Sequence, residues 1–127
     1  MKDKNIQELI NLYYSGKLTI VEKKVTELIK KNPKSFVLHN LLGAVLASQK
    51  KFDKSIINYK KSIEINPDYA EGYNNLGSVL YKLGKFDESI NSYRQAIKIK
   101  SNFAEAYNNL GLAFKELGKF DESINSY

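Results

Sequence analysis

Residues 70–93 read AEGYNNLGSVLYKLGKFDESINSY, and residues 104–127 read AEAYNNLGLAFKELGKFDESINSY. The second stretch restates the first 34 positions later with 18 of 24 residues unchanged, and a fixed period of that length makes the chain an array of repeats. The register runs backwards through Pro67 and Pro33, with Ser101 in the proline's place in the last interval. The expected organisation is one array over 1–127: a degenerate copy at 2–35, copies at 36–69 and 70–103, and a partial copy at 104–127.

Within each period the apolar residues recur at helical spacing, and a Gly-Lys-Phe-Asp or similar break divides it into two helices. The spacing predicts helices over 4–15, 19–31, 35–49, 53–65, 69–83, 87–99, 103–117 and from 121 onward. Gly84 and Gly118 stand where a chain leaving a helix needs positive φ, and Asp53, Asp87 and Asp121 follow as N-caps of the next helix. First helices of each pair are expected to start near Ser35, Asp68 and Asn102, the last two with Glu71 or Glu105 placed for a capping box.

Composition bounds the function. With 127 residues, 43% hydrophobic and 27% charged, the chain suits one small globular domain and not a disordered one. No apolar run is long enough to cross a bilayer, and MKDKNIQELI interleaves charge where a secretory signal needs an unbroken apolar stretch, so a cytoplasmic protein without membrane contact is expected. The absence of cysteine excludes disulfides, thiol nucleophiles and zinc-thiolate sites. The net charge is +6, with the excess in the first half: residues 1–67 hold 13 Lys against 6 acids, and residues 68–127 hold 7 Lys plus Arg against 8 acids. Arg94 is the one arginine, whereas nucleic-acid binders ordinarily exploit the guanidinium fork, so nucleic acid is not the expected partner.

Tyr73, Leu76, Gly77 and Leu80, then Ser89, Tyr93, Ala96 and Ile99, recur as Tyr107, Leu110, Gly111 and Phe114, then Ser123 and Tyr127. The preceding copy carries His39, Leu42, Gly43, Leu46, Ser55, Tyr59, Ser62, Ile65 and Pro67. This pattern resembles the tetratricopeptide repeat family. The resemblance implies an all-α, right-handed superhelical solenoid of antiparallel helix-turn-helix hairpins, and its flavour is that of the arrays in O-linked N-acetylglucosamine transferases. Gly43, Gly77 and Gly111 would let the two helices of a pair approach, faced by the small residues Ser55, Ser89 and Ser123, and Tyr59, Tyr93 and Tyr127 would fill space between neighbouring hairpins. Such a hairpin cannot bury its apolar face alone, so the chain's stop inside the last repeat is expected to leave an open end, served by a longer parent protein or by self-association.

In the family's superhelix the first helices line a concave groove. The resemblance places Glu71, Asn74, Ser78, Tyr81 and Lys82 there, then Glu105, Asn108, Leu112, Lys115 and Glu116, with Asn40 from the preceding copy and Asn75 and Asn109 at the edge. The six differences between the two copies fall mostly on or beside these positions. Asn75 and Asn109 resemble asparagines that grip a peptide main chain in the transferase arrays, an amide being both donor and acceptor. At about 1 kcal/mol per amide, two supply about half of the 4 kcal/mol that millimolar affinity needs. A carboxylate clamp for acidic chaperone tails is absent, because its positions hold Asn40, Ala44, Glu71, Glu105 and Asn109.

Nothing in the sequence assembles an active site. His39, the sole histidine, stands in an aromatic core position, and Asp87–Glu88 and Asp121–Glu122 are paired acids at predicted helix starts, where they satisfy free N–H groups. The expected function is a non-catalytic scaffold that binds a protein or peptide partner in its groove and uses no cofactor and no metal. The alternative is the recognition arm of a larger glycosyltransferase, sulfotransferase or methyltransferase. A third reading, an acidic surface held by Lys23, Lys24, Lys30, Lys31, Lys34, Lys60 and Lys61, is opposed by their placement on second helices, which form the outer face.

Overall fold

A computed structural model describes the backbone over residues 2–125 and the side chains over residues 6–121. The described residues are all-α: α1 (Lys2–Tyr14), α2 (Leu18–Lys31), α3 (Phe36–Ser48), α4 (Phe52–Ile65), α5 (Ala70–Lys82), α6 (Phe86–Ile99) and α7 (Ala104–Asn125). They fall into two compact units, Met1–Ile65 with α1–α4 and Asn66–Tyr127 with α5–α7. No described helix is long and apolar enough to cross a membrane.

Three hairpin turns share one geometry. Gly16, Lys50 and Gly84 hold φ of +77°, +62° and +77°. The N–H of each returns to the carbonyl three residues back, Gly16 to Tyr13, Lys50 to Ala47 and Gly84 to Tyr81, at 2.9–3.0 Å. The next N–H returns five residues back, Lys17 to Leu12, Lys51 to Leu46 and Lys85 to Leu80, at 2.8–3.1 Å. Each pair of bonds satisfies carbonyls that a helix end leaves open. Lys50 adopts the left-handed conformation without glycine's freedom, at a cost of about 1 kcal/mol.

The fourth turn does not form. α7 is one helix of 22 residues and passes through Gly118, which is not among the positive-φ residues, so the expected break between 117 and 121 is absent. The reason lies in what each segment can pack on. α6 lies between two helices, with Tyr93 against Gly77 of α5 and with Ile90 and Tyr93 clustered with Ala113 of α7. A helix turned back after Gly118 would lose the hydrogen bonds of the continuous helix, and among the described residues no later helix stands ready to enclose it as α7 encloses α6.

The expected caps hold in part. Ser35 caps α3, its Oγ accepting the Leu38 N–H at 3.3 Å. Asp53 and Asp87 lie two residues past the N-cap position, within the first turns of α4 and α6, and α6 has Lys85 at its N-cap with no side-chain bond. There the carboxylates act through the helix dipole. Asp121 is inside α7, and α5 begins after Tyr69, not Asp68, with no side-chain cap. Glu71 and Glu105 make no capping box; they turn to Lys100 and Asn74.

Packing within the hairpins follows the glycines. A Cβ at Gly43 would lie 2.7 Å from the Tyr59 ring, and one at Gly77 2.6 Å from the Tyr93 ring. Ser55 and Ser89 Oγ donate to the Gly43 and Gly77 carbonyls at 2.7 Å. The two tyrosines thus pack inside their own hairpins, and Tyr93 also reaches α7. Gly111 has nothing within 4 Å of the corresponding point; Ser123 and Tyr127, its expected neighbours, lie outside the described side chains. In the first unit Leu9, Val21, Val25, Leu38 and Val45 form the core. His39 is buried there, its Nε2–H donating to the Pro33 carbonyl at 2.9 Å, as befits a packed core residue.

Candidate functional site

The expected groove residues of the second unit stand on α5 and α7, whose helical spacing brings Ser78, Tyr81 and Lys82 of one toward Asn109 and Leu112 of the other. These five residues line one pocket of about 200 Å³ together with Tyr93 of α6. Tyr93 is 2% exposed, and its Oη donates to Ser78 Oγ at 3.3 Å. Ser78 Oγ donates in turn to the Asn74 carbonyl at 3.1 Å. Burial pushes the Tyr93 phenol above its ordinary pKa of 10, aided by Tyr81 and Glu105 and opposed by hydrogen bonds to Ser78 and Ser89. At neutral pH it is therefore a protonated donor. Tyr81 is held from the other side by an edge-on contact with Phe86, ring centres 5.5 Å apart.

The asparagines divide. Asn74 is 2% exposed. Asn109 Nδ2 donates to Asn74 Oδ1 at 3.1 Å, and Asn74 Nδ2 donates to Glu105 Oε1 at 3.3 Å. This amide chain ties α5 to α7 and fixes Asn109 at the pocket wall. Asn74, which the family resemblance placed in the groove, is thus committed to the inter-helix contact, because a 34-residue step brings the next copy's helix over it. Asn75 is half-buried, and Asn108 and Lys115 are exposed outside the pocket. Glu71 is exposed and pairs with Lys100 at 3.5 Å. Asn40 lies half-buried on α3 of the first unit.

Tyr93 was not among the expected groove residues. Its aromatic position read as core, which it is; only the helix crossing shows that a core residue's hydroxyl also meets the pocket. The chemistry available is recognition: an amide, a phenol and an ammonium around apolar surface, with no imidazole, thiol or carboxylate bonded to Ser78. No group of three or more His, Asp or Glu able to hold a metal occurs among the described residues.

Comparison with known proteins agrees with the fold. The first TPR domain of Spaghetti (RPAP3), solved bound to the HSP90 peptide SRMEEVD, superposes with a TM-score of 0.84 at 20% identity, over 88% of this chain and 89% of that one. The Sgt2 TPR domain of Aspergillus fumigatus gives 0.89 at 12% identity, over 94% and 81%. The O-GlcNAc transferase of Thermobaculum terrenum gives 0.82 at 19%, over 87% of this chain but 21% of that one. No curated protein sequence matches the chain. The model of the TPR repeat matches twice, over residues 43–84 and 77–118, which together exceed half of the chain. The chain belongs to the tetratricopeptide-repeat family.

Proposed function

We propose that the Asn66–Tyr127 unit is the ligand-holding part of a non-catalytic interaction module, taking an extended peptide or a partner helix against α5 and α7. The observation that supports this is the convergence of Ser78, Tyr81, Lys82, Asn109 and Leu112, from two different repeats, on one pocket over the Tyr93 hydroxyl. Apolar surface from Leu112 and Tyr81 supplies affinity, while the Asn109 amide and Lys82 ammonium select a main-chain amide and an acceptor. Acidic C-terminal tails are poor ligands, because Glu71 and Glu105 stand on the same helices without a compensating clamp. The test is a displayed peptide library selected against the full chain. Selected peptides should lose about tenfold affinity or more in Lys82→Glu/Asn109→Ala, with the circular dichroism unchanged; equal binding by that variant would sink the reading.

A second reading, the recognition arm of a larger transferase, is supported by the fit to a region amounting to 21% of an O-GlcNAc transferase chain. Sequencing the transcript beyond Tyr127 decides it: a transferase domain in frame is required.

A further inference from the structure

The polar groups of the α5–α7 pocket have their protons drawn off along two chains of hydrogen bonds. Asn109 Nδ2 donates to Asn74 Oδ1 at 3.1 Å, and Asn74 Nδ2 donates to Glu105 Oε1 at 3.3 Å. Tyr93 Oη donates to Ser78 Oγ at 3.3 Å, and Ser78 Oγ donates to the Asn74 main-chain carbonyl at 3.1 Å. Each chain ends on an oxygen that can only accept, an ionised carboxylate in one and a carbonyl in the other, so neither runs backwards. Turning the Asn74 amide over would set its oxygen against the Glu105 carboxylate, and turning Asn109 over alone would set its oxygen against Asn74 Oδ1. Asn74 is 2% exposed, so water does not compensate either change. Asn109 therefore inherits its orientation from Glu105. Its Nδ2 is drawn to Asn74, and its Oδ1, which makes no hydrogen bond among the described residues, is left for whatever enters the pocket.

Taking the pocket as the peptide site proposed above, we infer that Glu105 is a positioning residue that sets the polarity of the pocket from outside it, and that the group selected is a neutral N–H donor joined to an acceptor. Glu105 is not among the residues that line the pocket, whereas Lys82 and Asn109 are. The Lys82 ammonium repels a cationic donor. An anionic group satisfies Lys82 but has no proton for Asn109 Oδ1. A main-chain amide meets both, with its N–H on Asn109 Oδ1 and its carbonyl on Lys82. Because Glu105 admits only one orientation of the two asparagines, the bound amide is held in one sense, its N–H toward α7 and its carbonyl toward α5.

The experiment is an ester scan. Peptides selected by display against the full chain are remade with each main-chain amide in turn replaced by an ester, which removes one N–H and keeps a carbonyl. One ester should weaken binding to the parent chain about fivefold or more. Glu105→Lys reverses the chain of bonds, since an ammonium can only donate: it donates to Asn74 Oδ1, Asn74 Nδ2 donates to Asn109 Oδ1, and the Asn109 NH2 is left to the ligand. The same ester should then cost less than about twofold. Taking amide against ester within each variant cancels any change in fold or net charge common to both. Glu105→Gln, which can give or take the bond, should fall between the two. A parent chain that tolerates every ester yet loses the peptide in Lys82→Glu/Asn109→Ala overturns the role of Glu105 and leaves the peptide site standing, as does an ester penalty undiminished in Glu105→Lys. Peptides bound equally by Lys82→Glu/Asn109→Ala, or none selected at all, defeat the peptide site itself and the role of Glu105 with it.

Discussion

Residues 83–93 and 117–127 are the same eleven residues, LGKFDESINSY, and the described parts of the two, 83–93 and 117–125, fold differently. In the first copy Gly84 turns left-handed at φ +77° and α6 packs back on α5. In the second, Gly118 stays in α7, which continues to Asn125. The same local signals thus permit both a hairpin turn and an unbroken helix. What separates them among the described residues is packing, because α6 is enclosed by α5 and α7 whereas no described helix follows to enclose the second segment.

That contrast makes measurable predictions. The largest effect is expected at Tyr93, which joins α6 to both neighbours: Tyr93→Ala should destabilise the chain by about 3–5 kcal/mol in denaturant unfolding. The glycines sharpen the comparison. Gly77→Ala drives a methyl toward the buried Tyr93 ring and should cost about 1–3 kcal/mol, whereas Gly111→Ala enters open space and should stabilise by about 0.5–1 kcal/mol through helix propensity. If both substitutions shift thermal unfolding in the same direction, the two glycines are not in different surroundings. Turn geometry gives a smaller effect: Lys50→Gly should stabilise by about 1 kcal/mol, because Lys50 already occupies the conformation that Gly16 and Gly84 adopt freely. The smallest is a pH effect. Burial raises the Tyr93 pKa above 10, so the folded state holds this proton longer than the unfolded state. Its contribution is complete below pH 10 and is lost as pH rises through the folded pKa. Melting temperatures should fall above pH 10 less steeply in Tyr93→Phe than in the parent chain.

Much of this molecule is legible as pattern. The 34-residue period, the positions of the first six helices to within about two residues, the glycine crossings at Gly43 and Gly77 and the packing role of His39 all follow from spacing and size. Of the candidate site, Ser78, Tyr81, Lys82, Asn109 and Leu112 share a pocket in the structure. Asn74 shows where one helix's periodicity stops being informative. A wheel gives the direction of a side chain but not what occupies that direction, and there Glu105 and Asn109 arrive from 31 and 35 residues away. Lys50 was illegible for the opposite reason: its residue type argues against the left-handed conformation that the hairpin imposes on it.

By itself the sequence determined a tandem of helical hairpins, since periodicity and residue size are local properties repeated along the chain. Tertiary structure alone decided which of two identical segments turns back, which asparagine is enclosed and which hydroxyl meets the pocket. Each of those outcomes depends on burying surface against residues about a full repeat away, and the free energy of that burial exceeds the small preferences of any single turn.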